Sequence, residues 1–315
     1  MANPSVARPP RQPRFSGLGW RRARWGYVFI APWLIGFAAF TAIPMIATLA
    51  FSFTNINLAQ AQPLAFVGLK NYEKLINDQQ VWDSLVITLK FAALALPIAV
   101  ILPLLVALLL HSRHLYGSSA FRVLFLLPYV VPFVAAVFIW GGMLNPSTGW
   151  INLALQAVGV ENPPAWLEDP SWVYPGLALI GVWGIGAGMI VYLAGLKGIP
   201  TDLYEAARID GAGAWASLRH ITIPMLTPVI FFTMVLSVVE VMQYFLVPLV
   251  LQDGTGEPGG STMFYNLYLY KNFFTFQNMS YGATLAWLLF AITLAITLVL
   301  FGTARRWVYY AGEAR

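Results

Sequence analysis

Side chains that could carry chemistry are few in this chain of 315 residues, of which 10% are charged and none is cysteine. The lack of cysteine excludes disulfides and thiolate metal sites. The histidines His111, His114 and His220 have no carboxylate nearby to complete a metal site, so we interpret them as polar loop residues. There is no Gly-Lys dipeptide, and therefore no G-x-x-x-x-G-K-S/T loop to cradle nucleotide phosphates. We predict that the chain is not an enzyme, binds no metal and does not hydrolyse ATP itself.

One acidic residue, Glu240, lies inside a long apolar run, about 24 Å along a helix axis from Pro224. Ionisable groups at such depth in a membrane are costly and usually face a partner or an aqueous cavity. The polar residues that share its helix face, or lie next to that face, are Thr233, Ser237, Gln243 and Tyr244. Two interpretations are open. The stripe lines a substrate path, where these groups hydrogen-bond polyols and the aromatic ring covers a sugar, or it fixes the bundle through interhelical hydrogen bonds.

A second group of polar residues lies in the loop 197–224, where three basic and three acidic charges cancel. These charges belong to Lys197, Arg208, Arg219, Asp202, Glu205 and Asp210. A loop that only rests on anionic lipid would be basic. Small residues would let another protein surface approach closely, and they are Ala206, Ala207, Gly211 and Ala212. The composition therefore predicts a docking element.

Local signals predict the shape of this element. Thr201 follows a proline and precedes two acids, which favours a helix start with negative charge in its first turn. Gly211 and Gly213 predict the end of that helix and a turn. A second helix is expected to begin near Ala214. The loop thus consists of a short helix, a glycine joint and another helix.

The composition predicts the helices that position these polar residues, because 59% of the residues are hydrophobic. Apolar runs long enough to cross a bilayer, about 20 residues each, recur along the chain. We predict six spans at residues 25–53, 85–110, 120–144, 174–196, 225–251 and 281–303. The fold class is an all-α polytopic membrane protein, with prolines that kink several spans. Its expected parts are a basic tail (1–24), one transmembrane domain (25–303) that contains the loop 197–224, and a second tail (304–315).

The basic residues predict the orientation. If the N-terminus is cytoplasmic, 14 of the 18 Lys and Arg residues lie inside, namely Arg8, Arg11, Arg14, Arg21, Arg22, Arg24, Arg113, Arg122, Lys197, Arg208, Arg219, Arg305, Arg306 and Arg315. The remainder are Lys70, Lys74, Lys90 and Lys271. Such an excess obeys the positive-inside rule. We expect both termini and the loop 197–224 to be cytoplasmic, and we read the net charge of +5 as an insertion signal rather than as nucleic-acid binding.

Part of the loop resembles the EAA motif of binding-protein-dependent ABC importer permeases. The matching residues are Glu205-Ala206-Ala207, Asp210-Gly211-Ala212 and Ile221-x-Ile223-Pro224. Leu218 and Ile223 depart from the family's usual phenylalanine and leucine, but both remain apolar. Other segments resemble the carbohydrate branch of these permeases, the maltose and glycerol-phosphate type. They are residues 66–72, Phe121-Arg122, Pro128, residues 140–149 and Asn152.

The resemblance implies the type I importer permease fold, with six transmembrane helices and a cytoplasmic coupling helix. That coupling element would consist of Glu205, Ala206, Ala207, Asp210, Gly211, Ala212 and Pro224. It would dock on a separate dimeric ATPase subunit, which binds the ATP and Mg, so this chain itself would hold no cofactor. A second permease subunit would form a heterodimer with this chain. Together with an extracytoplasmic sugar-binding protein, it would complete the importer of a sugar, an oligosaccharide or a related polyol in the inner membrane.

Three other functions compete with this one. An ion-coupled secondary carrier of a small polar solute is the main alternative, although such carriers commonly hold several intramembrane ionisable groups. Here Glu240 is nearly alone. A channel would need a selectivity filter, and no such sequence is evident. A structural membrane scaffold is the third alternative.

Overall fold

The computed structural model describes residues 17–59, 63–112 and 115–309, with side chains from residue 23 onward. Predictions on residues 1–16, on Arg113 and His114, and on the tail after residue 309, Arg315 included, lie outside the described residues. The described chain is almost entirely helical, as the sequence predicts. It divides into two packing units, Met1–Phe51 and Ser52–Arg315.

The described part of the first unit is one long helical stretch. It consists of helix α1 (Gly17–Phe37), a π-helical turn (Ala38–Ala42) and helix α2 (Ile43–Phe51). Pro44 lacks an N–H group and its ring crowds the carbonyl one turn earlier, which accounts for the widened turn just before it. The predicted first span, residues 25–53, corresponds to the membrane-length stretch Ala23–Phe51.

The second unit contains the remaining helices, in this order: α3 Lys70–Asn77, α4 Gln79–His111, α5 Ser118–Val130, α6 Phe133–Met143, α7 Trp150–Ala157, α8 Val173–Val182, α9 Gly186–Lys197, α10 Thr201–Ile209, α11 Ala214–Ser217, α12 Ile223–Met242, α13 Leu246–Leu251, α14 Tyr265–Tyr270 and α15 Met279–Trp307. Two further π-helical turns, Leu218–Thr222 and Lys271–Thr275, lead into α12 and follow α14.

Four stretches of the described chain are long and apolar enough to cross a membrane: Ala23–Phe51, α4, Ala214–Leu251 and α15. The pairs α5–α6 and α8–α9 are bent by 101° and 54°, and they raise the number to six if each bent pair is one span. The chain is therefore a multi-pass membrane protein. Six remains the predicted number of spans.

The bent pairs lie within the predicted spans 120–144 and 174–196, and the bend at Pro132 agrees with the kinks expected at prolines. Helix α5 ends because Pro132 follows, and Val131 before it takes an extended conformation (ψ 130°), as residues before proline prefer. Helix α9 begins at Gly186, which lies so close to α5 that a β-carbon there would collide with the carbonyl oxygen of Phe125. Lys90, which the charge count placed on the non-cytoplasmic side, is exposed on α4, within the predicted second span.

Buried side chains form two main clusters. One joins α4, α8, α12 and α14 to α15 and includes Phe91, Leu177, Val241, Phe264 and Leu285. The other joins α4, α9 and α12 and includes Leu104, Tyr192, Leu196 and Leu226. Helices α4 and α12 contribute to both clusters, so these two helices form the centre of the second unit.

One end of the second unit is held together by Asp78, the N-cap residue of α4. Its carboxylate accepts hydrogen bonds from the hydroxyls of Tyr268 (2.6 Å) and Tyr281 (2.5 Å) and from the backbone N–H of Gln80 (3.1 Å). Burial, and then the hydrogen bond and charge of Asp78, raise the pKa of Tyr268 to about 12. This phenol therefore remains a donor at neutral pH.

Two segments that carry the resemblance are built around asparagine amides. Asn71 donates to the carbonyls of Ser52 (2.8 Å) and Thr54 (2.9 Å), which folds residues 66–72 back on the start of the unit. Asn152 is buried; its amide donates to two proline carbonyls, and its oxygen accepts from Trp166 Nε1 at 2.7 Å. Both motifs thus organise loops.

Candidate coupling and translocation sites

The predicted docking element forms the two short helices α10 and α11. Helix α10 begins at Thr201, as predicted, and has Asp202 in its first turn. The N-cap residue is Pro200 rather than Thr201, and no side chain caps the first turn. The favourable acid remains, but the capping hydroxyl implied by the sequence is absent from this helix start. Helix α11 begins at Ala214, as predicted.

Gly211 closes α10 in a left-handed conformation, with φ of +79°. The N–H of Gly211 donates to the carbonyl of Arg208 (3.0 Å), and the N–H of Ala212 donates to that of Ala207 (2.8 Å). These two bonds form a Schellman motif, which satisfies carbonyls at a helix end. No atom lies within 4 Å of a β-carbon built on Gly211. Its requirement for glycine therefore comes from the backbone conformation and not from lack of space.

One face of α10 is fixed to the body of the protein. The hydroxyl of Tyr204 shares a hydrogen bond with Thr222 Oγ1 (2.9 Å) across 18 residues. The Tyr204 ring packs on the second buried cluster beside Ile221. Ala207 and Ala212 are half-buried, whereas Ala206 is exposed. The inner face thus holds the helix in place and leaves the outer face open.

The outer face combines acids with large apolar side chains. Glu205 and Asp210 are exposed, and within the described part of the chain neither carboxylate takes part in a hydrogen bond or ion pair. Ile209 is 88% exposed and Trp215 is 73% exposed. The sequence reasoning missed both apolar residues, although their places at the end of α10 and in α11 could have indicated them. Exposed acids and apolar side chains together can bind a protein surface.

Pro224 lies apart from this face, at the start of α12. Its carbonyl accepts a hydrogen bond from Thr227 Oγ1 (2.6 Å), and the π-helical turn Leu218–Thr222 comes just before it. As at Pro44, the missing N–H group explains the widened turn. Pro224 thus shapes the path from α11 into α12.

The second candidate site lies where the fifth predicted span breaks. Helix α12 ends at Met242, and α13 starts only at Leu246. Between them Phe245 has φ of −161°, far from helical values. In a membrane a break of this kind is tolerated only where the backbone is buried in protein or lines a water-filled cavity. Three predicted path residues, Glu240, Gln243 and Tyr244, lie in the last turn or in the break.

The predicted polar stripe divides into two parts. Glu240 and Gln243 are exposed and Ser237 is half-buried. Thr233 is 8% exposed, and its hydroxyl pairs with that of Tyr192 on α9 at 2.6 Å. Thr233 thus occupies a helix–helix interface, the alternative interpretation of the stripe. The residues nearer the break remain at the surface of the second unit.

Tyr244 packs in a group of aromatic rings. Its ring centroid lies 4.8 Å from that of Phe91 on α4 and 5.3 Å from that of Phe264. Tyr174 of α8 joins them, 5.9 Å from Phe91. The sequence reasoning identified Tyr244 but missed the other three rings, which come from three separate parts of the chain. The cluster holds one edge of the break rigidly.

A groove of 540 Å³ runs beside the break, between α12, α14 and α15. Of the predicted path residues, Gln243 lines it, together with Asn266 and apolar residues of α15 such as Leu289 and Phe290. The amide of Asn266 donates to the carbonyl of Gln243 at 2.8 Å. Sequence reasoning also missed Asn266. Among the described residues no group of three His, Asp or Glu side chains could hold a metal ion.

Comparison with known proteins now gives the family. Residues 77–315 match the family described as binding-protein-dependent transport system inner membrane component. The chain is 36% identical to the probable ABC transporter permease protein YesP of Bacillus subtilis over 289 residues, which cover 91% of this chain and 93% of that one. It is 33% identical to the lactose transport system permease protein LacF of Rhizobium radiobacter, over 89% and 94% of the two chains.

Two further similarities agree with these. The trehalose/maltose transport system permease protein MalF of Thermococcus litoralis is 32% identical, over 90% of this chain and 95% of its own. A chain from the crystal structure of a bacterial ABC transporter involved in the import of the acidic polysaccharide alginate superposes with a TM-score of 0.77. It is 24% identical and covers 92% of this chain and 98% of its own, so the two share a fold.

This family is a transport component, in agreement with the prediction that the chain is not an enzyme. The resemblance seen in the loop 197–224 is thereby confirmed along most of the sequence. The chain belongs to the binding-protein-dependent transport system inner membrane components.

Proposed function

We propose that this chain is the permease subunit of an ATP-driven importer that carries a sugar, an oligosaccharide or a related polyol across the cytoplasmic membrane. Relatives at 32–33% identity are transport permeases for lactose and for trehalose/maltose, and they match nearly the whole chain. An ion-coupled secondary carrier, the earlier alternative, gains no support from any of these relatives.

The observation that carries the proposal is the construction of α10. Its inner face is tied by the Tyr204–Thr222 hydrogen bond to the π-helical turn that leads into α12, so a force on α10 reaches the membrane-length stretch Ala214–Leu251 directly. Its outer face presents Glu205, Asp210 and Ile209 without partners in the described chain. This face would dock on a separate dimeric ATPase subunit, which binds ATP and Mg.

The substrate path in this proposal passes the break after α12. Glu240 and Gln243 offer a carboxylate and an amide, and Tyr244 offers an aromatic edge. Saccharides present hydroxyls and apolar ring faces, which match such a combination. Ser237 lies one turn deeper on the same helix, whereas Thr233 serves the contact with α9.

The remaining partners follow from the family. A second permease, different from this chain, completes the pore, and a sugar-binding protein delivers substrate from outside. The positive-inside charge excess supports a cytoplasmic position for both termini and α10. Apolar side chains exposed along the first unit, such as Phe29 and Phe40, would meet lipid or the second permease.

Reconstitution tests the proposal. The chain is purified with the second permease and the ATPase encoded beside it, and vesicles are supplied with the binding protein and labelled lactose, trehalose or maltose. We expect uptake that needs both ATP and binding protein and that is indifferent to proton and sodium ionophores. Uptake driven by an ion gradient without the ATPase would establish the secondary carrier instead.

A further inference from the structure

The break between α12 and α13 leaves backbone groups that no helix satisfies. The N–H of Gln243 reaches the carbonyls of Val239 and Glu240, each at 3.2 Å, and the N–H of Tyr244 reaches that of Val241. The carbonyl of Gln243 has no such helical partner, because the helix does not continue. A side chain from 23 residues further along satisfies it, the amide of Asn266 at 2.8 Å.

Asn266 belongs to α14, a short helix that is fixed to two other helices, α4 and α15. The N–H of Tyr265 donates to Thr88 Oγ1 of α4 (2.9 Å), and the Tyr265 hydroxyl donates to the carbonyl of Leu285 of α15 (2.9 Å). Its far end is held by the hydrogen bond from Tyr268 to Asp78. The side chains of Phe264, Tyr265 and Leu267 are fully buried. Asn266 therefore acts from a rigid support.

We infer that Asn266 is a positioning residue, whose amide fixes the break so that Gln243 and Tyr244 face the substrate path. One contact fixes Gln243 and another fixes Tyr244. The amide holds the carbonyl of Gln243, and the ring of Phe264 meets the ring of Tyr244 edge-on at 5.3 Å. Without the amide donor, the carbonyl turns toward another donor and the adjacent side chains move with it. This inference rests on the proposed function.

The test distinguishes the effect of losing the N–H donor of Asn266 from the effect of changing the size of its side chain. Asn266→Asp is isosteric but, when ionised, has no N–H to donate, whereas Asn266→Gln keeps the donor on a longer arm. Asn77→Asp is the matched control, since the amide of Asn77 also donates to a backbone carbonyl, that of Glu73 at 2.8 Å, but on α3 away from the break. All three are compared in the reconstituted importer.

Two measurements are made on each variant. The first is the number of saccharide molecules imported per ATP hydrolysed, with ATPase stimulation by binding protein recorded separately. We expect N266D to lower the import ratio on the order of tenfold while stimulation persists, because the path and not the docking face is disturbed. N266Q should retain a larger share of the import ratio, and N77D should match the parent protein.

The second measurement is independent of substrate. The chain has no cysteine, so Glu240→Cys supplies a single thiol on the last turn before the break. Its alkylation rate should change when N266D is added and not when N77D is added.

If the parent complex imports no saccharide, the proposed function fails, and this alkylation rate alone decides the role of Asn266. Unchanged alkylation and import in N266D, or equal effects of Asp and Gln, would overturn the inference. Should N266D not assemble, Asn266→Ala replaces it in both measurements.

Discussion

Replacing Gly211 with serine should weaken the coupling element through its backbone alone. Gly211 has φ of +79°, and no atom lies within 4 Å of a β-carbon built there. Serine is small and polar, so neither a collision nor exposed apolar surface arises. The remaining cost is that of holding an L-residue in the left-handed region, about 1–2 kcal/mol. Either the two Schellman hydrogen bonds of Gly211 and Ala212 stay closed and the loop is destabilised by that amount, or the bonds open.

Gly213 supplies a matched control two residues later. Its φ of −74° and ψ of 173° are ordinary for an N-cap residue, and its β-carbon position is also free of neighbours. Serine is among the best N-cap residues. Gly213→Ser should therefore leave α11 intact or stabilise it slightly. The same substitution at two neighbouring glycines thus separates a conformational effect from a general effect of altering the loop.

The affinity of the complex for the ATPase subunit is the quantity to measure. If docking needs the closed turn, a cost of about 1–2 kcal/mol lowers the affinity about 5- to 30-fold. We expect that loss for Gly211→Ser, a larger one for Gly211→Val because of its β-branched side chain, and none for Gly213→Ser. Insertion should be unchanged in all three, since Gly211 and Gly213 lie in the loop before α12.

Equal ATPase affinity for the Gly211→Ser and Gly213→Ser proteins would refute this reasoning. It would mean either that the turn opens without loss or that α10 is not the docking surface. Coupled uptake decides between these two results. Normal uptake with normal ATPase binding in Gly211→Val as well would remove α10 from the coupling mechanism.

Three further predictions concern named side chains. Glu205→Lys should abolish co-purification of the ATPase at a cost of about 2–5 kcal/mol if its partner charge is buried, while pairing with the second permease persists. Glu240→Ala should lower uptake or broaden substrate choice with assembly unchanged, whereas failure to assemble would favour an interhelical role. A thiol label at Ala212→Cys should be protected from impermeant reagents in intact cells, and free reaction there would place the loop on the outside.

The shape of the loop 197–224 could be predicted because its signals are local. A glycine that needs positive φ, an acid in a first turn and a helix restart at Ala214 each depend on a few neighbouring residues. Local reasoning did not predict the inner anchor of α10, because the Tyr204–Thr222 bond joins residues 18 positions apart.

The break after α12 could not be predicted in the same way. The apolar run continues through Leu246–Leu251, so hydropathy extends the span across the break. Contacts from residues far along the chain interrupt it, namely Asn266 on the carbonyl of Gln243 and Phe264 on Tyr244. Helical spacing likewise placed Thr233 on the polar face, but its interface is set by Tyr192, 41 residues earlier.

The two sites therefore differ in what they require of a residue. At Gly211 the requirement is a backbone conformation in open space, so every L-residue is unfavourable there, and the β-branched ones most of all. At Asn266 the requirement is one N–H donor held by a buried helix, so size matters less than the amide. The turn at Gly211 is closed by hydrogen bonds within its own segment. A break in a membrane helix needs its free backbone groups satisfied by the surrounding protein or by a water-filled cavity, and the amide of Asn266 supplies the protein donor here.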